Sequence, residues 1–438
     1  MTTLPTPPAP IPAGTGRPAP APAAPHGHPA IRGAILGNYV DQFDIFLPVI
    51  ALAPAAAHLY GTQNAAAAAG FIFIATLLGR PVGAAVFGPL ADRIGRTRTT
   101  RISIVGVALA TLLIGVVPAG FGQATLLAII VLRFFGGAFI GGGYTAAVPL
   151  AMEWAPNPRR GLVSGQIMSM SPWANASIAA LVFVLLSVLG PDAYAQWAWR
   201  IPFLLGAAMT FALYLYYRRR VRDCPLPARP RAASRPLREV FTGRGGLALA
   251  QLFVLMTGLW LFTNMAVVVL AGQLKATAGL DDKAISLTMF CATVVSALAM
   301  VASGHLSTGT GRRRFFLWFG PASALLAPAT YLWIFHAGPL AAVMLLVGLL
   351  QVLTVSAYGP IGAYLTERFP AGARSTGYGL AYSLSIVLPA LYPYYLPPLQ
   401  RAFGAVPAVA GLLALAGLCV VAGALADRAP GLPEPAER

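Results

Sequence analysis

Four charged side chains lie inside long apolar stretches of the sequence. They are Asp41, Asp44, Arg80 and Arg133. A charge in hydrocarbon costs several kcal/mol unless it is paired or hydrated, so each marks a candidate functional site. Asp41 and Asp44 are three residues apart and therefore share one helix face, with Asn38 one turn earlier. In such a setting a carboxyl group can take up and release a proton, and a guanidinium group can bind a carboxylate.

Asp44 and Arg133 are predicted to lie near the centre of a membrane. Asp44 follows Arg32 by 12 residues, which is about 18 Å along a helix. Arg133 follows Gln123 by 10 residues, which is about 15 Å from the other surface. One interpretation is that Asp44 binds a coupled proton while Arg133 alternately neutralises Asp44 and a substrate carboxylate. The alternative is a static ion pair that only fixes helix packing.

The other polar candidates also leave two interpretations open. Asp41 is either a second proton site or a water-exposed carboxylate nearer the inner mouth, and Arg80 is either a substrate contact or a partner of Asp41. Asn38 is a further candidate for substrate binding, and Tyr382 belongs to an aromatic run that can stack on a ring-bearing substrate. Five amides either line a cavity or bridge helices: Asn175, Gln251, Asn264, Gln273 and Gln351.

Composition predicts an all-α integral membrane protein. Hydrophobic residues make up 57% of the chain and charged residues 10%, and the mean hydropathy of +0.72 is far above that of soluble proteins. Stretches of spanning length recur along the chain. They predict twelve membrane helices at 33–58, 65–90, 99–118, 123–150, 161–189, 198–217, 246–272, 284–306, 314–336, 338–364, 375–398 and 402–425.

The basic residues predict the orientation of these helices. With the N-terminus inside, 24 of the 30 Lys and Arg residues fall in inner loops and tails, and four fall outside. The positive-inside rule then places both termini in the cytoplasm and the helices in the plasma (inner) membrane. The net charge is +17, and the basic residues behind it fall almost wholly in loops of one parity and form no patch interleaved with aromatic residues. It therefore does not indicate nucleic-acid binding.

The longest polar interruption divides the predicted spans into two groups of six. We expect a disordered cytoplasmic tail at 1–31, because that segment is rich in Pro, Ala and Gly and has almost no charge. We expect two pseudo-symmetric six-helix bundles at 32–217 and 246–426, an arginine-rich cytoplasmic linker at 218–245, and a second cytoplasmic tail at 427–438.

The loop between the second and third spans carries the most specific motif in the chain. Residues 88–98 read GPLADRIGRTR, and a weaker copy at 304–313 keeps both glycines and the arginines. In that copy Thr308 stands where Asp92 would fall. The motif residues with a predicted role are Gly88, Asp92, Arg93, Gly95 and Arg96.

A second pattern repeats after the fourth and tenth spans. Glu153 is followed by a proline and Arg159, and Glu367 is followed by a proline and Arg374. Together with the loop motif, these residues predict a cluster at the inner surface that acts as a conformational latch. It would hold the halves together while the outer side is open. The alternative is that these charges only set the topology.

The loop motif at 88–98 resembles the signature GxxxDRxGRxR of the major facilitator superfamily. Arg80-Pro81 and residues 199–203 (WRIPF) resemble the metabolite:proton symporters within it, whereas residues 41–44 (DQFD) resemble the aromatic-acid:proton symporters. The resemblance covers about residues 33–425. It implies twelve helices in two pseudo-symmetric bundles, with spans one and four lining a cavity. It also implies uptake of small metabolites that mostly bear a carboxylate or are zwitterionic.

One position departs from this resemblance. The metabolite:proton symporters usually carry Gly-Gly-Glu in span four, and here Gly143 follows Gly141 and Gly142. An acidic side chain is therefore absent where the resemblance would place one. Substrate choice or coupling can differ from that of the characterised members.

The sequence predicts a transporter that is not an enzyme. It has no nucleotide-binding loop, metal cluster or nucleophile triad, so we expect no cofactor and no ATP-driven pump. We expect proton-coupled import of a small organic acid or zwitterion, by a monomer whose partners are the substrate, protons and the lipid bilayer. The alternatives are a proton-driven exporter and a non-transporting membrane sensor of the same fold.

Overall fold

The computed structural model describes residues 28–224 and 235–426, without the side chains of residues 62–67 and 282. The predicted tails over 1–27 and 427–438 and the linker residues 225–234 lie outside the described residues. The described part is almost entirely helical and contains no strand. This confirms the prediction of an all-α protein.

The N-terminal half consists of six spans, of which the first and fifth are interrupted. Short turns break these two, at residues 52–55 and at Ser169. Its helices are α1 (Pro29–Ala51), α2 (Ala56–Tyr60), α3 (Thr62–Ile94), α4 (Arg96–Val116), α5 (Gln123–Trp154), α6 (Arg160–Met168), α7 (Met170–Ala193) and α8 (Arg200–Arg220).

The C-terminal half repeats the six spans with more breaks. The short helix α9 (Pro236–Phe241) precedes them, and a π-helical turn at Asn264–Val269 divides the first of them. The remaining helices are α10 (Gly243–Thr263), α11 (Leu270–Ala276), α12 (Asp282–Thr310), α13 (Arg312–Ile334), α14 (Leu340–Thr354), α15 (Ile361–Glu367), α16 (Arg374–Leu384), α17 (Val387–Ala390), α18 (Tyr392–Phe403) and α19 (Ala405–Leu425).

Ten helical segments of the described chain are long and apolar enough to cross a membrane. The other two predicted spans are α8, which ends in three arginines, and the run α16–α18, which two short breaks divide. Helices also extend beyond several predicted limits. For example, α3 continues to Ile94 and α5 to Trp154, because helices run past the hydrocarbon boundary into the polar loops.

Small residues bring α3 and α5 into close contact within the N-terminal half. A side chain at Gly83 would collide with the backbone of Ala138, and one at Gly141 would collide with the backbone of Arg80. Close approach at glycines is a common way for membrane helices to pack. It fixes Arg80 on α3 against α5.

The two halves meet at one end of the molecule, which we call the basic end because it carries Arg96, Arg312 and Arg374. There α16 packs against α3 and α5, and α12 packs against α6. Gly161 of α6 and Gly304 of α12 touch so closely that a side chain on either would collide with the other's backbone oxygen. The halves are therefore closed against each other at the basic end.

Candidate functional site

A cavity lies between the two halves, about 750 Å³ in volume including space that is open to solvent. The N-terminal half contributes side chains from α1, α3 and α7, and the C-terminal half from α10, α12 and α14. Met300, which lines the cavity, belongs to the part of α12 that packs against Gly165 of α6. The closed basic end therefore bounds the cavity on that side.

Arg80 is the charged side chain of this cavity among the described residues. It is 2% exposed, and three aromatic rings surround its guanidinium. The guanidinium carbon lies 5.3 Å from the ring centre of Tyr382 and 5.8 Å from those of Tyr144 and Trp260. Trp260 Nε1 donates to the backbone oxygen of Tyr382 at 3.1 Å, which fixes two of the rings relative to each other.

The aromatic cage does not satisfy the hydrogen-bonding capacity of Arg80. Its Nε and Nη2 groups are buried and have no hydrogen-bond partner in the described part of the chain. A cation over aromatic rings gains about 2 kcal/mol when it is desolvated, which is small against the cost of burying an unpaired charge. Arg80 therefore keeps a buried positive charge and two unsatisfied donors, which a bound anion would neutralise and satisfy.

Asp44 and Arg133 form a buried ion pair inside the N-terminal half. Arg133 Nη1 donates to Asp44 Oδ2 at 2.8 Å, and Nη2 donates to the Asp44 backbone oxygen at 2.8 Å. Arg133 Nε also donates to Thr76 Oγ1 at 3.2 Å, and the Thr111 hydroxyl donates to Asp44 Oδ1. Asp44 is 1% exposed and Arg133 0%.

The structure brings these two residues together but places both behind the wall of the cavity. Neither Asp44 nor Arg133 is among the residues that line it. Arg133 therefore does not reach the cavity between the halves in this conformation. The proton and substrate roles assigned to the pair remain predictions.

Asp41 lines a second, smaller cavity within the N-terminal half, about 270 Å³ in volume including space that is open to solvent. The wall of this cavity includes Thr100, Ser103, Gly143 and Tyr217. The hydroxyls of Ser103 and Tyr217 are buried and have no hydrogen-bond partner among the residues that the structure describes, so unsatisfied polar groups share this cavity with Asp41. No hydrogen bond or ion pair ties Asp41 to another described side chain, whereas Asp44 is bound on both oxygens.

Asn38 and the amides separate into two groups. Asn38 is buried and donates to the backbone oxygen of Ile167, so it joins α1 to α6 and does not line the larger cavity. Gln251 donates to Tyr364 and Gln273 to the Ala405 backbone, and both therefore bridge helices. Three of the five amides line the larger cavity: Asn175, Asn264 and Gln351.

At the basic end, Asp92 of the N-terminal half accepts hydrogen bonds from the start of α16 in the C-terminal half. Its carboxylate receives the backbone N–H groups of Ser375 at 3.1 Å and Thr376 at 2.9 Å, and the Thr376 hydroxyl at 2.8 Å. A helix N-terminus has unpaired N–H groups and favours a negative charge. Gly88 allows this approach, since a Cβ there would lie 2.8 Å from the Thr376 Cα.

Glu153 completes this arrangement by pairing with one arginine from each half. Arg96 contacts Glu153 Oε2, and Arg374 Nη1 lies 2.8 Å from Glu153 Oε1. Arg96 Nε also donates to the Ser375 hydroxyl across the interface at 2.9 Å. We call Asp92, Arg96, Glu153 and Arg374 the basic-end cluster.

The other predicted latch residues are not part of this cluster. Arg93 and Arg159 are exposed. Glu367 pairs with Arg312 within the C-terminal half, with Oε1 and Nη2 2.7 Å apart. Its expected place in a contact between the halves is therefore not observed.

Gly95 has a conformational role in the loop motif. Its φ of +104° starts α4, and the Asp223 carboxylate caps that helix by accepting from Thr97 N at 2.8 Å and Thr97 Oγ1 at 2.9 Å. Only glycine readily adopts this backbone conformation. Asp223 was not singled out from the sequence, and neither were Tyr144 and Trp260. An aromatic residue among many apolar ones gives no signal that it surrounds a cation.

Comparison with known protein families identifies the class of this protein. Residues 35–393 match the major facilitator superfamily, and the chain belongs to that family of membrane transporters. It is a multi-pass membrane protein and a transporter, not an enzyme.

Two curated relatives have about the same length as this chain. It is 28% identical over 407 residues to the inner membrane metabolite transport protein YhjE of Escherichia coli, which covers 89% of this chain and 91% of that protein. It is 29% identical over 385 residues to a citrate-proton symporter of Klebsiella pneumoniae, which covers 81% and 82% of the two chains. The similarity thus extends over most of both relatives.

The fold agrees with a solved transporter of the same superfamily. The structure of the proton:xylose symporter XylE superposes with a TM-score of 0.71 at 16% identity, covering 91% of this chain and 94% of that one. This likeness confirms the predicted fold of twelve helices in two bundles.

Proposed function

We propose that this protein imports a small organic acid together with protons across the plasma (inner) membrane. It works as a monomer with both termini in the cytoplasm, so the basic end faces the cytoplasm. The observation that carries the proposal is Arg80, a buried cation in the cavity between the halves with two unpaired donors. The names of the relatives, a metabolite transport protein and a citrate-proton symporter, support the same class of cargo.

Arg80 binds the carboxylate of the substrate. Its Nε and Nη2 groups lie on the same edge of the guanidinium, and that edge matches the two oxygens of a carboxylate. A bound carboxylate satisfies both orphaned donors and neutralises the buried charge. Tyr382, Tyr144 and Trp260 keep the guanidinium in place while the carboxylate arrives and leaves.

Asp41 carries the coupled proton in this proposal. The carboxylate of Asp44 already accepts hydrogen bonds from Arg133 and Thr111. Asp41 instead lines a cavity beside two hydroxyls that have no hydrogen-bond partner in the described part of the chain. The charge of Arg80 acts on Asp41. A substrate carboxylate that neutralises Arg80 therefore removes part of what stabilises ionised Asp41, and proton binding and substrate binding favour each other.

The basic-end cluster controls which side of the membrane the cavity faces. Asp92, Arg96, Glu153 and Arg374 tie the halves together at the cytoplasmic end, so substrate enters from the opposite side. Release into the cytoplasm requires the contacts of Asp92 with α16 and of Glu153 with Arg374 to break. Alternating access of two repeated halves around a central site is the general scheme of such transporters.

Uptake into proteoliposomes tests the proposal. Vesicles with an inward proton gradient should accumulate a labelled carboxylate, and a protonophore should abolish accumulation. Arg80→Gln should abolish both accumulation and counterflow, and Arg93→Gln, which changes an exposed arginine, serves as the matched control. Failure of a broad panel of carboxylates to exchange, or uptake that survives the protonophore and requires sodium, would overturn the proposal.

A further inference from the structure

We propose that the substrate is a carboxylate with one negative charge, whose remaining part is uncharged and bears a hydroxyl or a comparable group that both donates and accepts hydrogen bonds. This inference rests on the proposed function and narrows its substrate class. It follows from the charges and the unpaired polar atoms of the cavity between the halves.

The charge of the cavity sets the charge of its occupant. Among the described residues that line the cavity, Arg80 alone bears a charge. A second carboxylate on the substrate would enter a largely apolar space without a cation to receive it, and burying an unpaired charge is costly. The cavity therefore disfavours dianions.

A positive group on the substrate would be equally unsupported. The lining includes no described carboxylate, so an ammonium group would find no counter-ion. Aromatic rings can replace a carboxylate as the partner of a cation. The rings of Tyr144, Trp260 and Tyr382, however, already surround the guanidinium of Arg80. The cavity therefore also disfavours zwitterions.

Two amides in the same cavity define the uncharged part of the substrate. Gln351 of α14 is 2% exposed, and its buried Nε2 group has no hydrogen-bond partner among the described residues. The same holds for the buried Oδ1 atom of Asn175 on α7. Gln351 needs an acceptor and Asn175 needs a donor. A hydroxyl supplies either one, and it does so for both orientations of an amide side chain.

These polar groups lie on opposite halves of the protein. Asn175 and Arg80 belong to the N-terminal half, and Gln351 and Trp260 belong to the C-terminal half. A substrate that satisfies Arg80 and Gln351 together links the two halves. The other polar pair in the wall, Gln42 and Ser171, is already hydrogen-bonded at 2.9 Å. This pair therefore does not require a hydrogen bond from a ligand.

A matched series of ligands tests the inference. Counterflow and competition would compare 4-hydroxybutyrate, butyrate, succinate and 4-aminobutyrate, which share one carbon skeleton, and the corresponding six-carbon series. We expect the hydroxyacid of the better-fitting length to compete at least about tenfold better than the diacid and the amino acid of that length. It should also compete several-fold better than the plain acid.

Two variants make the test independent of overall activity. For each variant, the result is the ratio between two ligands in how strongly they compete. In Gln351→Leu, the hydroxyacid and the plain acid should compete equally well. Thr293→Lys adds a second cation to the cavity wall and should shift the ratio toward the diacid. Equal or better competition by the diacid or the amino acid in the unmodified protein would overturn the inference and leave the proposed function standing. Absence of exchange with every carboxylate would instead overturn the proposed function.

Discussion

Glu153 of the N-terminal half and Arg374 of the C-terminal half form an ion pair across the interface, with Oε1 and Nη1 2.8 Å apart. The Glu153 side chain is 5% exposed and that of Arg374 19%. Removing one partner of such a buried pair typically costs about 3–5 kcal/mol. Neutralising one partner therefore weakens the conformation in which the basic end is closed, and the pair must separate when that end opens.

Glu153→Gln should open the basic end without disturbing the cavity. The adjacent Cys224 reports on this, because its Sγ lies 3.9 Å from the Glu153 backbone oxygen. Burial, followed by the nearby charge of Glu153, raises the pKa of the Cys224 thiol, which slows its reaction as a thiolate. Maleimide labelling of Cys224 in a Cys291→Ser, Cys419→Ser background should become several-fold faster in Glu153→Gln, and also in Arg374→Gln, which breaks the same pair but keeps the charge of Glu153.

The matched control for that measurement is Glu367→Gln. Glu367 pairs with Arg312 within one half, so its neutralisation should leave Cys224 labelling nearly unchanged. Equal acceleration by both variants would show that the interface pair has no special part in closing the basic end.

Asp92→Asn should slow the transport cycle while substrate binding persists. The carboxylate accepts from Ser375 and Thr376 of the opposite half, and an amide retains only one acceptor oxygen. We expect this change to destabilise the closed conformation by about 1–3 kcal/mol. Separate measurements of substrate binding and flux, with Arg93→Gln as control, check this, and an equal loss of both would indicate misfolding or a direct role in binding.

Thr308→Asp should create a second contact of the Asp92 type. Thr308 occupies the position in the 304–313 loop that Asp92 has in the 88–98 loop. Its hydroxyl contacts the site of Gly161 at the start of α6 and has no hydrogen-bond partner in the described chain. A carboxylate there can accept from the N-terminus of α6. We expect slower turnover and slower Cys224 labelling, and faster labelling would contradict this view.

The control for Thr308→Asp is Thr310→Asp, which places the same charge two residues away. Thr310 is exposed, so its substitution should have little effect on turnover. Similar slowing by both variants would show that the added charge, and not a contact with α6, is responsible.

Asp41→Asn should abolish accumulation against a gradient and leave counterflow largely intact. A neutral amide resembles a protonated carboxyl but cannot release a proton. The carrier with bound substrate can therefore still reorient, as counterflow requires. Net uptake fails because it requires the empty carrier to return in its deprotonated form. Asp44→Asn should differ, because it leaves Arg133 buried without its carboxylate and lowers the stability of the folded protein by about 3–5 kcal/mol. Net uptake, counterflow and thermal stability of both variants distinguish the two roles, and normal proton-driven accumulation by Asp41→Asn would place the proton site elsewhere.

The sequence predicts how deep in the membrane a charged side chain lies better than it predicts where that side chain points. Asp44, Arg80 and Arg133 were identifiable because a charge in hydrocarbon needs a reason. Counting residues along a helix, however, does not tell which neighbours the side chain faces. For this reason the structure assigns the cavity to Arg80 and places Arg133 behind its wall.

In the loops, too, the sequence does not predict which neighbours a side chain faces. The motif around Asp92 predicts an inner-surface contact, and the pattern after span four adds Arg159 to it. The turn at Asn157–Arg159 leaves Arg159 exposed, because the direction of a side chain depends on the path of the chain into α6. Trp260 was not predicted for a related reason, since its role depends on a ring from each half meeting over Arg80.

Binding of a carboxylate to purified Arg80 variants tests whether Arg80 receives the substrate. The best ligand of the matched series would be titrated into the unmodified protein, Arg80→Lys, Arg80→Gln and the control Arg93→Gln, with thermal stability as a check on folding. Arg80→Gln should lose detectable binding, and Arg80→Lys should bind at least about tenfold more weakly, because an ammonium lacks the planar pair of parallel donors that matches two carboxylate oxygens. Unchanged affinity in a folded Arg80→Gln protein would contradict the role of Arg80 as the carboxylate site.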